Sequence, residues 1–164
     1  MKHLNRIVRT GLTAICMMVW CPAHGQSFDL GGEIGNPFRA YISPSGLFGA
    51  HYPKTWAVLE RHVSVSFVEG QGDSSNAVGI NVQADPSVNS AADLAKKLIR
   101  ENPGENWRQI DVNGKTAFLA ETGGRGAIFT LAKPGQIVVT RFQTKADAQS
   151  KDFVRKVIYS VKTP

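Results

Sequence analysis

Cysteine is nearly absent from this chain. Its 164 residues hold two, Cys16 and Cys21, and both fall within the first 25 positions. The remainder therefore has no disulfide, no thiol nucleophile and no thiolate metal ligand. Histidine is scarce as well: beyond residue 25 only His51 and His62 are present. The chain contains no apolar run approaching the roughly 20 residues needed to span hydrocarbon. It also has no Gly-x-Ser-x-Gly nucleophile elbow, no internal repeat and no low-complexity tract. Stability must come from packing, and several of the commoner catalytic chemistries have no residues to run on.

What is present first is a leader. "MKHLNRIVRT" carries Lys2, Arg6 and Arg9 with no acid, and the apolar Gly11–Trp20 segment spans ten residues. "CPAHG" then ends on small side chains, so the layout predicts a secretory signal peptide over 1–25, cleaved between Gly25 and Gln26. The protein is expected to be periplasmic or secreted. Ile15 before Cys16 and Trp20 before Cys21 lack the small residue that a lipidated cysteine requires. Cleavage would remove three of the 19 basic residues and none of the 13 acidic ones, leaving 16 against 13, a balance of +3. That mild excess suits an acidic partner or an anionic membrane surface, and gives no argument for nucleic acid.

Residues 26–40 begin with the glycine-rich "QSFDLGGEIGNPF" and are expected to form a flexible leader to one domain over 41–164. Strands are predicted at Leu47–Tyr52 and Trp56–His62. Alternation of Val63, Val65 and Phe67 with serines gives a third, and Val78, Ile80 and Val82 a fourth, around a polar Gly70–Asn76 loop. Ser90, with Asp93 three residues on, is placed to cap a helix whose apolar stripe is Ala91, Leu94, Ala95, Leu98 and Ile99. Asn113-Gly114 joins Trp107–Val112 to Lys115–Glu121 in a hairpin. "TGGRG" leads into Ala127–Ala132, and "KPGQ" turns that strand into Ile137–Gln143. A final helix buries Phe153, Val154, Val157, Ile158 and Val161. Hairpins dominate, so the expected class is α+β, a mainly antiparallel sheet with helices packed on it. Ile137–Phe142 is apolar on both faces, which predicts cover on both sides of the sheet, a three-layer α/β/α sandwich.

The stretch "GLFGAHYPKTWAVLE" ties this together. Pro53 cannot donate to a ladder, so a tight turn is expected at 52–55, with Trp56 opening the return strand and capping the core. Tyr52, Pro53 and Trp56 are thus read as packing residues of a hairpin. The "YPKTW" strand end, following "YISPSGLFGAH", resembles the opening of the PsbP/Mog1/DcrB-like domains. The order of elements up to the terminal "VIYSVK" agrees with them over Tyr41 to Lys162. The resemblance implies an α/β/α sandwich and a non-catalytic role, as in photosystem accessory subunits, exported proteins and lipoproteins, chaperones and adaptors. It carries no active-site motif, so no catalytic residue and no cofactor transfers with it.

Other candidates are thinner. His51 and His62 on a shared hairpin would lie roughly 16 Å apart at about 3.3 Å per residue, too far for one metal ion. Ser43 and Ser45 flank Pro44 in a turn. Glu60, Glu69, Asp111 and Glu121 fall on or beside strands, where carboxylates are usually just solvated. "TGGRG" could form an anion-binding nest with Arg125 above it, but it opens no helix. Lys96, Lys97 and Arg100 on the first helix, and Lys151, Arg155 and Lys156 on the last, are expected solvated faces, or else a docking surface for an acidic partner or headgroups. The leading expectation is an exported, non-catalytic module acting through a protein partner. The alternative is a carrier of a small apolar or anionic ligand between sheet and helix, near Trp56, Trp107, Phe118 and Phe129. A hydrolase would need a cleft gathering residues that lie scattered along the chain.

Overall fold

The computed structural model describes residues 37–61, 63–70 and 75–164. The expected signal peptide, nearly all of the leader, and His62 lie outside them. Five strands come first: β1 (Phe38–Ile42), β2 (Gly49–Pro53), β3 (Ala57–Arg61), β4 (Ser64–Val68) and β5 (Ala77–Ala84). Helix α1 (Ala91–Glu101) follows, then β6 (Arg108–Val112), β7 (Lys115–Thr122), β8 (Arg125–Lys133), β9 (Gln136–Gln143) and α2 (Ala148–Ser160). Strands β3 to β9 form an antiparallel seven-stranded sheet in the order β3-β4-β5-β9-β8-β7-β6.

Alternation along β9 sorts the core into two layers. Ile137 and Val139 join Leu94 and Leu98 of α1 with Phe118 and Val88, while Val138 and Phe142 join Val154, Val157 and Ile158 of α2. A strand with apolar residues on both faces needs cover on both, and here a helix supplies it on each side. The expected three-layer α+β sandwich is what forms.

Local signals act as read. The Ser90 hydroxyl accepts the Asp93 amide at 3.1 Å and donates to the Asp93 carboxylate at 2.8 Å, a reciprocal cap of α1. Asp147 caps α2 by accepting the Ser150 amide at 2.7 Å. Asn113 and Gly114 both take positive φ, 55° and 79°, which a two-residue hairpin turn demands. The Asn113 side chain does more, donating to the Val161 carbonyl at 2.7 Å and so tying the β6–β7 turn to the end of α2.

Three expectations are corrected. The stretch around Pro53 is no hairpin: β2 pairs with β1 in a separate two-stranded ribbon, and β3 pairs with β4. Residues of the ribbon, among them Phe38, Phe48 and Ala50, are buried in the α2-side core, whereas β3 keeps Leu59, Glu60 and Arg61 exposed. The chain thus crosses from ribbon to sheet at a turn closed by the Trp56 amide donating to the Pro53 carbonyl at 3.0 Å. Trp56, 4 % exposed, fills the core at that crossing, so its packing role stands although it opens no return strand. Secondly, Phe38–Ala40, expected to end the leader, are already strand, paired with Pro53, Tyr52 and His51; α1 accordingly follows the fifth strand. Thirdly, Ile99 is 61 % exposed. Leu94 and Leu98 are fully buried and Ala91 and Ala95 pack partly buried against the same cluster, so the expected stripe fails only at Ile99, at the margin of the contact of α1 with β7 and β8.

Candidate functional site

The six helix cations do not form one surface, since α1 and α2 cover opposite faces of the sheet. Lys97 is held by Asp85 at 2.8 Å and by Glu101 at 2.6 Å, a structural link between α1 and the end of β5. Lys156 pairs with Asp152 at 2.8 Å, and Arg100 stands 3.9 Å from Glu101. Lys96, Lys151 and Arg155 are exposed and have no acid within ion-pair distance among the described residues.

The acids, by contrast, are occupied. Hydrogen bonds from Lys97 and Ser87 pull Asp85 down to about 2. Asp93 and Asp147 are also lowered, by the Ser90 hydroxyl and the Ser150 amide that they hold at the helix starts. Glu69 takes Lys145 at 3.3 Å, Glu121 lies 3.7 Å from Arg108, and Asp111 accepts the Gly114 amide at 2.9 Å. Burial, then Glu60, pushes the Tyr41 phenol up to about 12. Tyr41 meets Phe67 edge-on at 5.5 Å, and Tyr52 stacks on the same ring at 4.7 Å. Displaced protonation constants in this protein therefore belong to caps, ion pairs and packing.

His51 is buried on β2, and burial followed by the Lys162 charge lowers its imidazole. Its amide donates to the Ser160 hydroxyl at 2.7 Å, joining β2 to α2. Ser43 accepts the Leu47 amide at 3.2 Å and meets Ser45 at 3.1 Å, so both serines hold their turn. No group of three His, Cys, Asp or Glu residues gathers among the described residues. Gly123 and Gly124 of "TGGRG" have φ of 60° and 79° and make a two-residue hairpin turn between Thr122 and Arg125.

Two concavities remain. On the α1 face, a shallow one of about 370 Å³ lies between Trp107, Arg125, Phe129 and Arg141. Trp107 meets Phe129 edge-on at 5.4 Å, and its indole N–H is buried without a partner among the described residues. Arg141 is held by the Asn81 side chain at 3.0 Å. On the other face, α2 packs on β2, β5 and β9 and leaves the β6–β8 half of the sheet open at its flank. The cleft there has a volume of about 350 Å³. Ile110, Leu119, Ile128 and Phe142 make its floor, Val154 and Ile158 its wall, and Arg108, Lys151, Arg155, Glu121 and Tyr159 its rim.

Sequence reasoning named Lys151 and Arg155 but missed Arg108, Tyr159 and the floor. Part of it was readable: a two-residue Asn-Gly turn pairs Val112 with Lys115, which places Arg108 beside Leu119. The aromatic set Trp56, Trp107, Phe118 and Phe129 does not line one pocket. Trp56 is buried in the α2-side core and the other three pack on the α1 side.

No family model matches the chain, and no curated protein matches it. Solved structures do. The solution structure of cyanobacterial PsbP (CyanoP) from Synechocystis sp. PCC 6803 superposes with a TM-score of 0.51 at 16 % identity, over 82 % of this chain and 97 % of that one. A crystal structure from Bacteroides thetaiotaomicron VPI-5482 superposes with a TM-score of 0.56 at 16 % identity, over 78 % of this chain. The chain spans about half of that protein, 49 %. The fold is PsbP-like, as the "YPKTW" resemblance implied. No helix among the described residues is long and apolar enough to cross a membrane.

Proposed function

We propose that the protein is a small exported, non-catalytic binding domain that acts in the cell envelope through a protein partner. The observation that carries this reading is the asymmetry of its charges. Asp85, Glu69 and Glu121 are spent on ion pairs and Asp93 and Asp147 on helix caps, while Lys96, Lys151 and Arg155 face solvent with no acid within ion-pair distance among the described residues. Exposed cations of this kind present positive potential to a partner. The PsbP-like fold adds support, since it supplies a rigid frame for such a surface.

The test is site-specific photocrosslinking in the native host, with a photoreactive residue at Lys96 on α1 or at Tyr159 on α2. We expect one discrete polypeptide adduct at one of the two sites. The matching charge reversal, Lys96→Glu with Arg100→Glu or Lys151→Glu with Arg155→Glu, should abolish it, and high salt should weaken it in envelope preparations. No adduct at either site, or an adduct indifferent to charge and salt, would overturn the reading.

A second reading, a carrier of a small amphipathic anion, is favoured by the apolar floor of the α2-side cleft.

A further inference from the structure

The α2-side cleft combines features that the partner reading leaves unused. Its floor is a sheet face of apolar side chains: Leu119, Ile128 and Phe142 are all under 10 % exposed. Phe142 can lie flat there because position 126 is glycine. A Cβ on Gly126 would stand 2.5 Å from the Phe142 ring. Along the wall, Lys151 and Arg155 are one helical turn apart, so they repel each other and no acid relieves them among the described residues. The one rim carboxylate, Glu121, is turned to Arg108 at 3.7 Å.

We propose that this cleft binds a single-headed anionic amphiphile, an acyl chain carrying one carboxylate or phosphate group. The chain lies on Leu119, Ile128 and Phe142, and the head is held between Lys151 and Arg155. Three cations against one carboxylate fix the sign of the head. The floor selects an alkyl chain over a peptide, because the backbone groups of β7, β8 and β9 are already paired on both sides in their ladders. A peptide laid across that face would leave its own amides unsatisfied, whereas methylenes need no partner. The volume of about 350 Å³ is at the small end of ligand sites, roughly 300 to 1,000 Å³, which suits one chain.

The proposal shares Lys151 and Arg155 with the protein-partner reading, but its test uses different probes. Protein purified from its host and stripped of bound lipid is titrated calorimetrically, below the micelle threshold, with dodecanoic acid, dodecanol and a single-chain lysophosphatidylglycerol. Dodecanoic acid or the lysolipid should bind, and dodecanol at least about tenfold more weakly than dodecanoic acid where the acid binds. Across shorter acids the Kd should tighten with each added methylene until the floor is covered, by less than the roughly fourfold that full burial would give. Lys151→Glu with Arg155→Glu, both exposed and therefore harmless to folding, should weaken the anion at least about tenfold. Lys96→Glu on the opposite face should change nothing. Binding of the acid alone identifies a fatty acid, binding of the lysolipid alone a phospholipid, and either supports the proposal. Equal affinity for acid and alcohol, indifference to the double reversal, or no binding by any probe would overturn it.

Discussion

At the scale of single residues, this fold is most sensitive where two backbones come close. Gly126 is boxed in on β8. An added Cβ would lie 2.5 Å from the Phe142 ring and 2.7 Å from the Ala120 carbonyl oxygen. The ring could shift, but the carbonyl belongs to the neighbouring strand β7 and cannot. Gly126→Ala should therefore destabilise the protein by about 1 to 3 kcal/mol in urea unfolding. Ile99 gives the opposite case. Sequence periodicity puts it with Leu94 and Leu98, but at 61 % exposed it buries little. Ile99→Lys should leave the urea midpoint nearly unchanged, whereas Leu98→Ala, at 2 % exposed, should cost about 2 to 5 kcal/mol. The same pair marks a limit of reading periodicity. A 3.6-residue repeat gives the direction of the apolar stripe, and the curvature of the surface beneath decides how wide a stripe is covered.

At the scale of elements, the caps and turns behave autonomously. Ser90→Ala removes the acceptor for the Asp93 amide and should cost about 1 kcal/mol, with loss of helicity by circular dichroism confined to one helix's worth of signal. Asn113-Gly114 and the two positive-φ glycines of "TGGRG" likewise fix their hairpins from within four residues. These elements were legible in sequence because every interaction that forms them is local. The ribbon was not. Nothing in "GAHYPKTWAVLE" states whether the strand before Pro53 pairs with the strand after it or with Phe38–Ile42. Either pairing satisfies the backbone. The choice falls to burial: the ribbon seats Phe38 and Phe48 beneath α2, an apolar gain that a β2–β3 hairpin would forgo. The binding cleft was legible to the same partial degree. The register of β6 against β7 follows from its turn, but the flank left open by α2 depends on where a distant helix lands.

At the scale of the whole molecule, the groups that titrate below neutral pH couple to stability in one direction. Asp85, Asp93 and Asp147 titrate lower in the folded state than in the unfolded chain. Their contribution is full above the unfolded value and is lost as pH falls; for Asp85 the loss runs from 3.8 down to about 2. His51 is a base whose folded value is lowered, so the unfolded chain takes up its proton first. Its penalty begins as pH falls below the unfolded value of 6.5. The urea midpoint should therefore decline as pH falls through 6.5, then decline again as pH falls below 3.8. His51→Gln should flatten the upper decline and leave the lower one intact. An unchanged upper slope in that variant would assign the titration elsewhere.

What the sequence determined by itself was the class, the caps, the hairpin turns, the two-faced central strand and the PsbP-like resemblance. All of these arise from residues adjacent in the chain or from the alternation of apolar side chains, which is read without knowing any long-range partner. What only the tertiary structure decided was which strands share a sheet, which of six helix cations stay unpaired, and where a cleft opens. Those outcomes turn on contacts such as Phe38 with Phe153, Lys97 with Asp85, and Asn113 with Val161. Each joins residues far apart in sequence, and each is chosen by competition for burial and charge across the assembled molecule rather than by any local preference.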